Sequence, residues 1–139
     1  MLKQSDIVSI HVPYFPGVND MMIGATEIGR MKPDAILVNT ARGPLVDTAA
    51  VTAALDDGSL GGYATDVIAH GRNISGKQFD SLDDLGDKDL LDLMKHYPNV
   101  LVTSHMGYFT EPATEDMIRI SFDNFHDAIT PSATKNQVK

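Results

Sequence analysis

The chain has 139 residues, room for one modest hydrophobic core rather than two full domains. Its 19 acidic against 11 basic side chains leave a formal charge of −8, a sign that repels phosphate backbones and argues against a nucleic-acid partner. It has no cysteine and only five scattered histidines, so disulfides, thiolate metal sites and the common zinc spacings are all excluded.

Short apolar runs alternate with helical patterns, the signature of an α/β domain. Residues 7–12 (IVSIHV) form a compact β-branched run that Pro13 ends. A short helix is expected over 25–31, closed by Lys32-Pro33-Asp34. The run 35–39 (AILVN) reads as a second strand. Asp47-Thr48 is a good N-cap, and Ala50, Val51, Ala54 and Leu55 follow it as a helical stripe that Gly58 stops. Gly61-Gly62 lead into a third strand over 63–67. Residues 69–86 show no period, and a long aperiodic stretch inside a compact domain tends to be functional or mobile. A helix over 87–96 precedes a fourth strand at 100–103, after the Pro98-Asn99 turn. The last helix begins after Thr110-Glu111-Pro112 and carries Met117, Ile118, Ile120, Phe122 and Phe125 toward Ala128. Runs apolar on both sides suit buried parallel strands. The expected fold is therefore α/β, part of a doubly wound, Rossmann-type parallel sheet with helices on both faces.

In open parallel sheets, ligands bind beyond the carboxyl ends of the strands. That rule selects His11 to Pro13, the block Thr40-Ala41-Arg42-Gly43, Asp66, and Ser104-His105. Each has a plain alternative. Arg42 could be a solvated loop arginine, Asp66 a turn cap, and His105 a hydrogen-bonded histidine without a reaction; His11, ending a strand, reads as packed rather than catalytic. Together they favour a site without naming its chemistry.

The blocks Val8-Ser9-Ile10-His11-Val12-Pro13, Met31-Lys32-Pro33, Val38-Asn39-Thr40-Ala41-Arg42-Gly43, Leu45-Val46-Asp47 and Pro98-Asn99-Val100-Leu101-Val102-Thr103-Ser104-His105 resemble consecutive signatures of the D-isomer-specific 2-hydroxyacid dehydrogenases. The resemblance runs from about Ser5 to Ala128. Tyr108-Phe109-Thr110-Glu111 is similar to the D-lactate and D-2-hydroxyisocaproate branch of that family. It implies an NAD-dependent interconversion of a 2-oxo acid and a D-2-hydroxy acid. By the same resemblance Arg42 binds the substrate carboxylate, and its planar fork suits that task better than lysine. His105 acts as general acid and base. Asp66 holds the nicotinamide end of the cofactor; Val12, Pro13, Asn19, Thr40, Ala41 and Arg42 line the NAD pocket; Tyr108 and Phe109 shape the substrate pocket. Residues 1–108 then correspond to the C-terminal portion of the NAD-binding domain. Residues 109–130 would be a helix returning to the substrate domain, with a flexible tail at 131–139.

Two departures stand beside this resemblance. The fingerprint GxGxxG does not occur, which implies that the pyrophosphate-binding loop lies upstream of the part seen here and that strand 7–12 exposes an edge. The family also has a glutamate five residues after the aspartate matching Asp66, as partner of the histidine; here that position is Gly71, beside His70, and the nearest following acid is Asp80. A lone imidazole is less well oriented and less basic. The leading expectation is thus part of a D-2-hydroxyacid dehydrogenase, with D-lactate favoured, weak or inactive by itself. The alternatives are a non-catalytic remnant or interaction module, and a related enzyme acting on glycerate or glyoxylate. A small acid substrate, no membrane partner, a family-type homodimer and a cytoplasmic location complete the expectation; without a substrate domain, the Met117, Ile118 and Phe122 face would be left open.

Overall fold

A computed structural model describes residues 1–69 and 80–130, with only the backbone at Leu82 and Asp83. The expected tail 131–139, and most of the aperiodic stretch, lie outside the described residues. The described part divides into two units, Met1–His105 and the portion from Met106 onward.

The first unit is built on a parallel sheet of β1 (Ile7–Ile10), β2 (Ile36–Asn39), β3 (Gly62–Thr65) and β4 (Val100–Val102), in the order β1-β2-β3-β4. Among the described residues, three α-helices lie in the connections: α1 (Ala25–Ile28), α2 (Thr48–Asp56) and α3 (Lys88–Met94). The register sets Val8 opposite Leu37 opposite Tyr63 opposite Val100, and the next inward row is Ile10, Asn39, Thr65 and Val102. The Rossmann-type parallel sheet read from the sequence is present.

Sequence-adjacent parallel strands joined by right-handed crossovers place every connecting helix on the same side. Ile28 of α1, Val51 and Ala54 of α2 and Leu93 of α3 accordingly share one core with Val8, Ile10, Leu37, Tyr63 and Val100. Within this unit the helices α1–α3 therefore cover one face only. The other face carries Ile7, Ile36 and Leu101, all exposed, so the strands alternate between buried and open positions instead of being buried on both sides. The edge expected at the first strand is also seen: β1 pairs only with β2 among the described residues. The ladder ends at Ile10 and Asn39, leaving His11 and Val12 beyond the strand.

Local chemistry sets the ends of the helices. Asp47 caps α2 by accepting from the Ala50 amide at 3.1 Å, and Asp87 caps α3 through Leu90 at 3.1 Å; each such cap contributes about 0.5–2 kcal/mol. The helix expected over 25–31 is α-helical only to Ile28. Its end tightens into i→i+3 bonds, Arg30 to Glu27 and Met31 to Ile28, before Pro33. Leu37, Leu45 and Val51 are wholly buried, each worth roughly 1.5–3 kcal/mol over exposure. Gly61 has a steric cause: a Cβ there would stand 2.6 Å from the Asp34 backbone, where the connection into β3 crosses the start of β2.

The second unit is dominated by α4 (Glu111–Ile129), with Pro112 in its first turn and Thr130 closing it through the His126 carbonyl. None of its residues is buried. Among the described residues, no helix is long and apolar enough to cross a membrane.

Candidate active site

Because all the strands run parallel, their carboxyl ends share one edge, and four segments emerge there. The first begins at His11, whose Nε2 lies 2.8 Å from Ser9 Oγ and which is exposed, not packed as its place in the sequence suggests. Val12 and Pro13 follow, also exposed. Asn19 closes the next loop onto itself: its Oδ1 accepts from the Phe15 amide at 2.7 Å and its Nδ2 donates to the Pro13 carbonyl at 2.8 Å. The Tyr14 hydroxyl donates to Asp20, which also accepts from the Gly17 amide at 2.5 Å. These bonds favour ionised Asp20 and neutral Tyr14, holding the carboxyl below its usual range and the phenol above its own.

The second segment leaves β2. Asn39 is wholly buried, and its side chain holds the turn that follows. Oδ1 accepts from the Ala41 amide at 3.1 Å, and Nδ2 donates to the Arg42 carbonyl at 3.0 Å. Thr40 and Arg42 are exposed, and the Arg42 guanidinium donates to the Ala41 carbonyl at 2.7 Å. Gly43 then passes against the third segment so closely that a Cβ would stand 2.3 Å from both Ala69 N and Ile68 C. Only glycine allows that approach.

The third and fourth segments are joined. Asp66, just after β3, donates its amide to the Asn39 carbonyl at 3.1 Å and accepts the Thr103 hydroxyl at 2.6 Å. Thr65 Oγ1, buried beneath, has one hydrogen to give, with the Val67 carbonyl at 2.6 Å and the Asn39 carbonyl at 3.1 Å. Burial pushes the neighbouring Tyr63 phenol up, and its hydrogen bonds with Thr65 and Asn39 partly offset this. His105 ends the fourth segment, exposed, with a left-handed φ of 59°. Such a backbone costs a non-glycine residue on the order of 1–3 kcal/mol and is met most often at functional sites.

The edge thus collects His11, Val12, Pro13, Thr40, Ala41, Arg42, Asp66 and His105, and Asn19 lies in the loop that follows β1. Tyr108 and Phe109 belong to the second unit, where their rings meet edge to face with centroids 6.3 Å apart. Gly71 and His70 lie outside the described residues, and Asp80 is exposed. Among the described residues, no group of three or more His, Cys, Asp or Glu side chains is placed to hold a metal ion. Sequence reasoning missed the supports, Asn39, Thr65 and Thr103. The available signal was a polar residue in the inward phase of an apolar strand, at Asn39 and again at Thr65.

Residues 1–107 match the sequence family described as "D-isomer specific 2-hydroxyacid dehydrogenase, NAD binding domain". The chain is 39% identical over 139 residues to a D-lactate dehydrogenase of Lactobacillus delbrueckii subsp. bulgaricus, all of this chain and 41% of that protein. It is 40% identical over 124 residues to a glycerate dehydrogenase of Methylorubrum extorquens, 89% of this chain and 35% of that protein. The crystal structure of D-lactate dehydrogenase with NAD+ from Lactobacillus jensenii superposes with a TM-score of 0.89 at 36% identity, over 99% of this chain and 41% of that one. The chain therefore spans about two fifths of the length of the relatives it matches. With a parallel sheet of this type and a family match across more than its first hundred residues, the chain belongs to the D-isomer-specific 2-hydroxyacid dehydrogenases, through their NAD-binding domain.

Proposed function

We propose that this chain carries the nicotinamide-side half of the active site of an NAD-dependent oxidoreductase that interconverts a 2-oxo acid and a D-2-hydroxy acid, with pyruvate and D-lactate favoured. The observation that carries this reading is the common edge: Arg42, Asp66 and His105 each lie within three residues of the carboxyl end of a strand of one parallel sheet. In this reading residues 1–108 are the C-terminal portion of the NAD-binding domain, and 109–130 form a helix that returns to a substrate domain.

The donor set fits the cofactor and the acid. Exposed Arg42 offers a planar fork for a carboxylate, and Asp66, fixed by Thr103, offers an acceptor for the nicotinamide carboxamide. Val12, Pro13, Asn19, Thr40 and Ala41 would line the same pocket. NAD, when bound, supplies the hydride chemistry. Arg42 binds and orients the substrate carboxylate. His105 gives a proton to the carbonyl oxygen in reduction and takes it back in oxidation. Tyr108 and Phe109 are assigned to the substrate pocket on the family resemblance alone.

The test is titration of the chain with NADH, followed by nicotinamide fluorescence, with and without oxamate. Saturable binding tightened by oxamate is expected. No binding by a sample shown to be folded would overturn the reading and favour a non-catalytic dinucleotide fold. A glycerate- or glyoxylate-type substrate is the second reading, supported by the similarity to a glycerate dehydrogenase, and comparison of oxamate with hydroxypyruvate separates the two.

A further inference from the structure

The loops that carry Arg42 and Asp66 meet at one buried residue. Asn39 is fully enclosed, and every polar group it offers to this edge is used. Its carboxamide bonds the Ala41 amide and the Arg42 carbonyl, on the loop of the arginine. Its main-chain carbonyl accepts from the Asp66 amide, with Thr65 Oγ1 3.1 Å away, on the side of the aspartate. The orientation of the carboxamide is fixed, because a flip would set NH₂ against N–H and oxygen against oxygen.

We propose that Asn39 is a positioning residue whose side chain holds the Arg42 loop while its main chain holds Asp66, so that the two ligand contacts can be separated by mutation. The proposal rests on the functional reading above. It has a selective consequence. A side-chain substitution removes the clamp on Arg42 but leaves the carbonyl that receives Asp66. Asn39→Asp keeps an acceptor for the Ala41 amide but turns a carboxylate toward the Arg42 carbonyl. Asn39→Ser is too short to reach both groups.

The experiment compares the wild-type chain with Asn39→Asp and Asn39→Ser. Three signals are read: amide exchange at Ala41, NADH affinity alone, and the tightening of NADH binding by oxamate. Ala41 exchange should rise in Asn39→Ser and stay near wild type in Asn39→Asp, and in both variants the oxamate effect should fall about tenfold, the worth of one to two hydrogen bonds. NADH affinity alone should fall by less than the oxamate effect, since Thr40 and Ala41 loosen with the loop while Asp66 keeps its main-chain hold. Unchanged Ala41 exchange in Asn39→Ser overturns the clamp. Loss of NADH and oxamate affinity together, in step with a falling Tm, overturns positioning in favour of a merely structural role, as does failure of both variants to fold. A wild-type chain that shows no NADH or oxamate response overturns the functional reading itself, and is recognised because that signal fails before any mutation is made.

Discussion

Thr103 donates its hydroxyl hydrogen to Asp66 Oδ1 at 2.6 Å, tying the end of β4 to the end of β3. The Thr103 amide also bonds the Thr65 carbonyl at 2.9 Å, so the backbone at this point stays in place whatever its side chain. Thr103→Val should therefore act on the carboxylate more than on the fold. The expected result is a severalfold weaker NADH affinity, with unfolding free energy lowered by less than about 1.5 kcal/mol. Thr103→Ser should restore binding. NADH titration and urea unfolding of the three chains check this, and a Valine variant that binds as well as wild type would remove Thr103 from the site.

Gly43 and Gly58 make opposite predictions from the same substitution. At Gly43 a Cβ would stand 2.3 Å from Ala69 N and Ile68 C, both main-chain atoms that cannot rotate away. At Gly58, φ is +74° but nothing lies within 4 Å. Gly58→Ala should cost only the left-handed strain, roughly 1–2 kcal/mol. Gly43→Ala must move the backbone that leads out of β3, so it should cost about 3 kcal/mol or more and also disturb NADH binding. Urea midpoints of the two variants should rank in that order; equal midpoints would mean that residues 68 and 69 yield easily.

Much of this was legible in the sequence because the signals were local. Asp47 announces its helix by capping chemistry, and the apolar runs at Ile36 and Val100 announce their strands. The carboxyl-end rule selects Arg42, Asp66 and His105 without any side-chain contact being known, and all three lie beyond strand ends of one parallel sheet. What could not be read was non-local. That Asn39 reaches both the Arg42 loop and Asp66 depends on the register between β2 and β3, which no single segment encodes. The one-sided helix layer follows from strand order, and an open face carrying Ile7, Ile36 and Leu101 looks in sequence like any buried apolar run. His11 departs from its expected packing for a related reason: the ladder stops at Ile10, two residues before the end of the run 7–12.

The loop after β1 should respond to pH at both ends of the scale. Asp20 is held below the usual carboxylate range, first by the Tyr14 hydroxyl and then by the Gly17 amide. A depressed acid contributes order above its unfolded pKa and loses it as pH falls through the folded one. Tyr14 is shifted upward, first by its hydrogen bond to Asp20, so its contribution holds below the ordinary phenol range and is lost as pH rises through the raised value. Protection of the Gly17 amide, taken relative to its intrinsic exchange rate at each pH, should thus be greatest between the two limits and should fall in acid and in strong base. Tyr14→Phe should abolish the basic limb and move the acidic limb to higher pH. A flat profile in wild type would show that the pair does not hold the loop.

Ile118, Phe122, Phe125 and Ile129 recur at helical spacing along α4, and they are 54%, 70%, 65% and 67% exposed. Four large apolar side chains in one stripe are unusual for a helix that ends in water, and the charge of the chain does little to mask them locally. The ion pairs of Arg119 with Asp116 and Asp123 lie elsewhere on the helix, are exposed themselves and add little. The purified chain should therefore associate with rising concentration or dissolve poorly, as seen by sedimentation velocity and by binding of a hydrophobic dye. Phe122→Ser with Phe125→Ser should reduce both signals while leaving the Tm of the sheet unit unchanged within about 2 °C, since surface substitutions stay within about 0.5 kcal/mol. A wild-type chain that sediments as a clean monomer at high concentration would show that the stripe is covered in solution.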